Sequence, residues 1–442
     1  MLKQQKIFID FLRFCIGSVK EIPDSLKEVD WKELYAIAKK QCLVGILFDG
    51  IKKLPAEHVG MEKELLLQWM AESQMLKKAN VRLNDAAIQV SEWFRKKGFR
   101  TCILKGQGNA LMYPNPYSRT PGDIDIWVEG GDKRVISFVR SISPHEKACY
   151  HHIEFPSYKG VEVEVHYRPS FLLCFRHNRK LQKYYERVKE EQFSHRVMLG
   201  EQGEIAIPTM EFNLIFQLTH IFSHLMNEGI GLRQLVDYYY VLCDFYKVYQ
   251  NFSNPSVSLS KGSSTFSPSP SSSGSGDVTA PSRCSEPLRS KDGGASKPSP
   301  NCAGWDRLSI EGDNSAGSAT AVTSSASTAL VVVQRELKYL GLWKFAGAVM
   351  YVLKEVLGLS EDKMIVPMDE KRGKLLLAEI LNGGNFGKHF TKYGHFTQKG
   401  MAKKYFLKIW RNMHFVRYYP AEALSEPIFR TWHFFWRMKN KK

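Results

Sequence analysis

Residues 104–128, LKGQGNALMYPNPYSRTPGDIDIWV, decide the fold. They read as the end of a strand, a glycine turn, a short helix, a loop, and a strand carrying two aspartates. Asp123 and Asp125 alternate with Ile124 and Ile126. On a strand that spacing puts both carboxylates on one face and both isoleucines on the other. Two like charges about 7 Å apart repel by about 2 kcal/mol at an effective dielectric near 20. A bound cation turns that repulsion into attraction.

Outward from this stretch the pattern is helical on one side and mixed on the other. Ile7, Phe8, Phe11, Leu12 and Cys15 follow a helical stripe. Asp30 is placed to cap a helix starting at Trp31, with Glu33 in its first turn. A further helix is expected over residues 61–97, stopped by Gly98. Residues 99–104 form a short β-type run into Lys105-Gly106. Residues 133–141 suit a short helix. HHIEFPSYKGVEVEVHYRP, residues 151–169, reads as a hairpin turning at residues 156–160. Its second arm sets Val161, Val163 and Val165 on one face, and Glu162, Glu164 and His166 on the other. Residues 210–250 return to helix.

Residues 251–330 change character, with 23 serines in 80 residues and frequent Pro and Gly. Such a segment buries too little apolar surface to offset its ordering entropy, so disorder is expected. Helical pattern resumes near Leu330, so this segment reads as an insertion within a helical region. The expected class is α+β. A small mixed sheet core at 75–209 is flanked by helical regions at 1–74 and at 210–250 plus 330–442, with the insertion at 251–329.

The chain has 442 residues, 43% of them hydrophobic, enough to build a sizeable core. Its 8 cysteines show no C-x-x-C spacing. That argues against a zinc ribbon or disulfide scaffold and fits a reducing, cytoplasmic setting. The first residues lack the continuous apolar core of a signal peptide. No uncharged apolar run reaches the roughly 18 residues a membrane span needs. The net charge is +17, and residues 371–442 carry 16 Lys+Arg against 3 Asp+Glu, or +13 of it. This tail reads either as a solvated basic face or as a contact for a polyanion or an anionic membrane surface.

The chemistry suggested is that of metal and phosphate. Magnesium prefers oxygen ligands and is usually held by one or two carboxylates plus substrate phosphates. A third carboxylate on a neighbouring strand would let the group hold one or two Mg2+ ions. Glu164 is the favoured third acid, with Glu162 as the near alternative. Gly106 and Gly108, before the short helix, could offer N–H groups to a phosphate. Lys105 or Arg119 could add positive charge there. Alone, an Asp-x-Asp pair often marks only a solvated strand edge.

The pattern ILKG…YP.P..R..GDIDIWV, followed by VEVH, resembles the uncharacterised nucleotidyltransferase family, within the polymerase-β-like superfamily. HLMNEGIGLRQLVD at 224–237, LNGGNFG at 381–387 and YPAEAL near the end also look like bacterial members. The resemblance implies a turn at Gly106, a metal-binding pair at Asp123 and Asp125, and a third acid at Glu164. It implies attack of an acceptor on the α-phosphate of a nucleoside triphosphate, with pyrophosphate leaving, and names no acceptor.

His220 and His224 share a helical face at zinc-ligand spacing, without the Glu of H-E-x-x-H. They read as hydrogen-bonded helix histidines or as a contact to the nucleotide pocket. Arg233 and Asp237, four apart, read as an intrahelical pair. The leading expectation is a magnesium-dependent nucleotidyltransferase using Asp123, Asp125 and Glu164. The competing one is a non-catalytic binding module that keeps the nucleotide fold and applies its basic aromatic tail to nucleic acid or a membrane.

Overall fold

The apolar stripe near the start forms the inner side of α1 (Lys3–Ile16), where Ile7, Phe8, Phe11, Leu12 and Cys15 are all buried. Asp30 caps α2 (Trp31–Gln41), accepting from the backbone N–H groups of Lys32 at 2.9 Å and Glu33 at 3.1 Å. The computed structural model of the chain describes residues 3–201, 203–253, 326–385 and 401–440. α3 (Val44–Ile51) leads to α4 (Lys63–Lys96), a 34-residue helix that Gly98 ends at φ 78°. Trp69 of α4 is fully buried and donates from Nε1 to Val44 O at 2.9 Å, tying the long helix to α3.

The mixed part follows. It comprises β1 (Thr101–Ile103), α5 (Gln107–Ala110), β2 (Ile124–Val128), α6 (Gly131–Ile142), β3 (His152–Tyr158) and β4 (Val161–His166). Then come α7 (Phe175–Ser194), β5 (Arg196–Met198) and β6 (Glu204–Ala206). The four-stranded sheet has the order β1-β2-β4-β3; β2 and β4 are parallel and the outer pairs antiparallel. β5 and β6 form a separate two-stranded ribbon. The fold is α+β.

One face of the sheet, with Ile124, Ile126, Val128, Val161, Val163 and Val165, packs with Leu83 and Phe94 of α4 and Val135 of α6. The other carries Asp125 and Trp127. Trp127 stacks on Phe212 of α8 (Met210–Asn227) at 5.9 Å between centroids and lies 4.7 Å from Phe193 of α7. Helices cover both faces, so all five residues of β2 are buried.

α9 (Leu232–Ser253), α10 (Ala326–Leu340), α11 (Trp343–Leu357) and α12 (Glu370–Gly383) extend the helical core. α13 (Met401–Met413) and α14 (Pro420–Lys439) complete it. The chain divides into one unit of Met1–Asn254 with Ser324–Lys442 and another of Pro255–Thr323. The second unit, and with it most of the serine-rich insertion, lies outside the described residues. The expected limits of that insertion are too wide, because α9 runs to Ser253 and α10 starts at Ala326. No described helix is long and apolar enough to cross a membrane.

Two local expectations need correcting. Asp123 stands one residue before β2, so only Asp125 lies within the strand. The β3–β4 turn is tighter than residues 156–160: Lys159 at φ 50° and Gly160 at φ 76° make a two-residue connection. Pro156 falls instead within the register shift of β3 between Phe155 and Tyr158.

Candidate active site

The parallel register of β2 and β4 sets Asp125 directly beside Glu164. Alternation along β4 points Glu164 and His166 to the same face while Val163 and Val165 enter the core. Asp123, at the entrance to β2, joins them. One oxygen each of Asp123, Asp125 and Glu164 lies within 4.8 Å of the others. Glu162 also borders the cavity in front of these acids, but the strand register and this convergence both single out Glu164.

The loop leading to Asp123 is held from two sides. Asn80 of α4 donates to Arg119 O at 2.9 Å and Tyr117 O at 3.1 Å. Arg233 of α9 donates to Thr120 O at 3.0 Å. Arg119 itself is 3% exposed and grips Asp237 of α9 in a two-point ion pair, 2.8 and 2.9 Å long. Tyr113 donates to the same carboxylate at 2.6 Å. Burial pushes the Asp237 carboxyl up, but Arg119 outweighs it and holds that group below the usual carboxylate range. One expectation therefore fails: Arg119 is a buried clamp that does not line the cavity. Asp237 takes Arg119 as a hydrogen-bonded partner and also feels the charge of Arg233, which reaches the loop.

The glycines are also structural. α5 is only four residues long, and neither Gly106 nor Gly108 lines the cavity. Gly106 adopts φ 62°, which favours glycine. A Cβ on Gly108 would lie 2.9 Å from Ile207 Cγ2, so the smallness there serves packing.

Lys105 does reach the acids. Leu104 N bonds to Asp125 O at 3.0 Å, which fixes the chain beside β2. Lys105 Nζ then lies 3.0 Å from Asp125 Oδ2 in an ion pair. Nζ is also 3.2 Å from His220 Nε2. An ammonium only donates, so His220 accepts at Nε2 and carries its proton on Nδ1. Burial, and then Lys105, push the His220 pKa down. Burial pushes Lys105 down too, but Asp125 and Asp123 raise it, so the lysine stays charged.

The three acids differ in their surroundings. The neighbouring Asp125 charge and burial raise the Asp123 carboxyl. For Asp125, burial is outweighed by Lys105 and by His166, whose Nε2 lies 3.0 Å from Oδ1, and the group is held low. Glu164 is likewise lowered against its burial by His166, 3.4 Å away. His166 opposes its own burial through these two acids and is pushed up to about 9.

The acids open on a cavity of about 1030 Å³, at the upper end of ligand pockets. Arg82 and Arg233 line it, together with Lys408, Arg430 and Arg437 from the last two helices. The basic C-terminal segment thus supplies part of the cavity wall. His151, His152, His166, His220 and His224 face the same space. His152 and His166 escaped sequence reasoning as site residues, because the expected turn at residues 156–160 sets a different register from the one that pairs them. The alternation Glu164-x-His166 was the available signal. Asn385 of the GGN turn lines the cavity and packs on Gly231, while residues 386–387 of that motif lie outside the described residues.

Three hard oxygen donors within reach of one ion fit Mg2+. Lys105 stands at one edge of the group as a fixed positive charge.

A family model described as "Uncharacterised nucleotidyltransferase" matches residues 27–248, from just before α2 into α9. No curated protein and no solved structure matches the chain.

Proposed function

The chain belongs to the uncharacterised nucleotidyltransferase family, and we propose that it transfers a nucleotidyl group from a nucleoside triphosphate to an acceptor hydroxyl, releasing pyrophosphate. The observation that carries this reading is the convergence of Asp123, Asp125 and Glu164 within 4.8 Å at the floor of a cavity walled by arginine and lysine. In the reaction, the acceptor oxygen bonds to the α-phosphorus and the bond to the bridging α–β oxygen breaks. Pyrophosphate leaves with the electron pair. Such chemistry asks the protein mainly for positioning and charge stabilisation.

Asp123, Asp125 and Glu164 would hold one or two Mg2+ ions. Bound there, Mg2+ would supply positive charge to the phosphate oxygens. The basic wall of Lys408, Arg430 and Arg437 suits the triphosphate tail. Lys105 steadies Asp125 so that the carboxylate is ionised before any ligand arrives. Glu164 has the most exposed side chain among Asp125, Glu164 and His166, at 32% against 2% and 4%. Its partly exposed carboxylate is placed to take the proton of an acceptor hydroxyl. The acceptor itself is an open choice among hydroxyl compounds.

The test is incubation of the purified chain with each of the four α-labelled triphosphates, Mg2+ and a cell extract, followed by identification of what becomes labelled. Transfer that requires Mg2+ supports the reading. Triphosphate binding without transfer to any component would replace it with a non-catalytic nucleotide-binding module.

A further inference from the structure

His152 opens β3 and His166 closes β4, and the antiparallel register sets them opposite each other. Glu164 lies two residues before His166 on the same face. One donor atom of each lies within 4.8 Å of the others. The closest spacings are shorter still. His152 Nδ1 and His166 Nε2 lie 3.1 and 3.4 Å from Glu164 Oε2, and Asp125 Oδ1 lies 3.0 Å from His166 Nε2. Two ligands each about 2.0–2.1 Å from a tetrahedral ion are about 3.4 Å apart. The side chains already keep the spacing of a ligand shell.

The surroundings of the two rings point the same way. His166 Nδ1 faces Arg168 O at 3.3 Å. A carbonyl only accepts, so this contact places the ring proton on Nδ1. The Nε2 on the other side of the ring faces two carboxylate oxygens, Asp125 Oδ1 at 3.0 Å and Glu164 Oε2 at 3.4 Å. His152 Nδ1 is buried and makes no hydrogen bond, although a carboxylate oxygen stands 3.1 Å away. Carboxylate oxygens gathered around ring nitrogens at this spacing suit a positive centre, which without metal is the His166 proton and which a bound divalent ion would replace. The Arg168 carbonyl behind His166 is the kind of outer partner that fixes the tautomer of a metal-bound histidine. Imidazole nitrogens shift the preferred ion from magnesium toward zinc and its neighbours.

We propose that His152, Glu164 and His166, with Asp125 as a fourth donor, form a site for a divalent transition-metal ion of the zinc class. The site lies beside Asp123 and shares Asp125 and Glu164 with the three-acid group. Its existence is independent of nucleotidyl transfer, so either reading can fail alone.

Co2+ is the probe, titrated into the chelator-treated full chain in excess Mg2+ and followed by its visible d–d absorption. The expected result is one equivalent bound with the intense bands of a nitrogen-ligated, low-coordinate ion. Zn2+ should displace it and perturb two histidine rings in the NMR spectrum. His152→Ala and His166→Gln should each weaken binding by about 10-fold or more, while Asp123→Asn should leave it unchanged. Far-UV circular dichroism of the metal-free variants controls for folding, and His152→Ala, at the partly exposed position, keeps the test usable if His166→Gln unfolds. Binding equal in His152→Ala and the unaltered chain, binding lost in Asp123→Asn, or no saturable Co2+ binding would each overturn the proposal.

Discussion

At the scale of the residue, Lys105 is the side chain on which the acidic group depends in the absence of metal. Its ammonium lies 3.0 Å from Asp125, and both Asp123 and Glu164 feel its charge. Lys105→Met should lower the melting temperature of the metal-free protein and enlarge the stabilisation that saturating Mg2+ gives. Thermal melts with and without Mg2+ check this; equal Mg2+ shifts in both proteins would argue against the ion entering beside Lys105. Asp237 offers a second residue-scale prediction. Truncating one partner of a buried ion pair typically costs about 3–5 kcal/mol, so Asp237→Ala should destabilise by that order in urea titrations at neutral pH. The native Asp237 carboxyl sits below its unfolded value, near 3.9. Its contribution is therefore present above that pH and is lost as pH falls through the lower native value. The penalty of Asp237→Asn should shrink at strongly acidic pH, which titrations at descending pH would read.

At the scale of the element, the site is made by strand register. β2 and β4 run parallel with Asp125 beside Glu164, so pairing supports Glu164 as the proposed third acid, which the sequence favoured with Glu162 as the near alternative. Glu164→Gln should cut nucleotidyl transfer by about 100-fold or more, since the lost metal stabilisation is worth several kcal/mol. Glu162→Gln should cost much less, and steady-state rates of the two variants compare them directly. Local patterns were readable beforehand: the α1 stripe, the Asp30 cap, the end of α4 at Gly98, and alternation along β4. Pairings between distant segments were not. Arg119 looked like a phosphate ligand because its true partner lies 118 residues away. The hairpin turn was misplaced because Lys159 accepts a backbone conformation that favours glycine. His152 reaches the site only through the register of the sheet, whereas His220 and His224, whose shared helical face allowed a contact to the pocket, do line the cavity.

At the scale of the whole molecule, the strongly basic C-terminal segment changes meaning. As sequence it could be a solvated tail; in the fold α13 and α14 bring Lys408, Arg430 and Arg437 to the cavity. These helices are anchored by Arg411 and Asn412 to the last turn of α8 and by Glu422 to the backbone at the start of α7. Both helices lie beyond the residues that the family model matches. Burial, reinforced by Arg430, pushes the Lys408 ammonium down to about 8. A triphosphate prefers that lysine charged, so its affinity should fall as pH rises through 8. Lys408→Gln should remove this part of the fall, as nucleotide titrations at several pH values would reveal. The central claim is that the acids on β2 and β4 direct attack at the α-phosphate. Its most direct test supplies the chain and an acceptor-containing extract with the same triphosphate labelled at either the α- or the γ-position. Label should pass to the acceptor from the α-position only and vanish in a folded Asp123→Asn variant; transfer from the γ-position, or undiminished transfer by Asp123→Asn, would contradict the account.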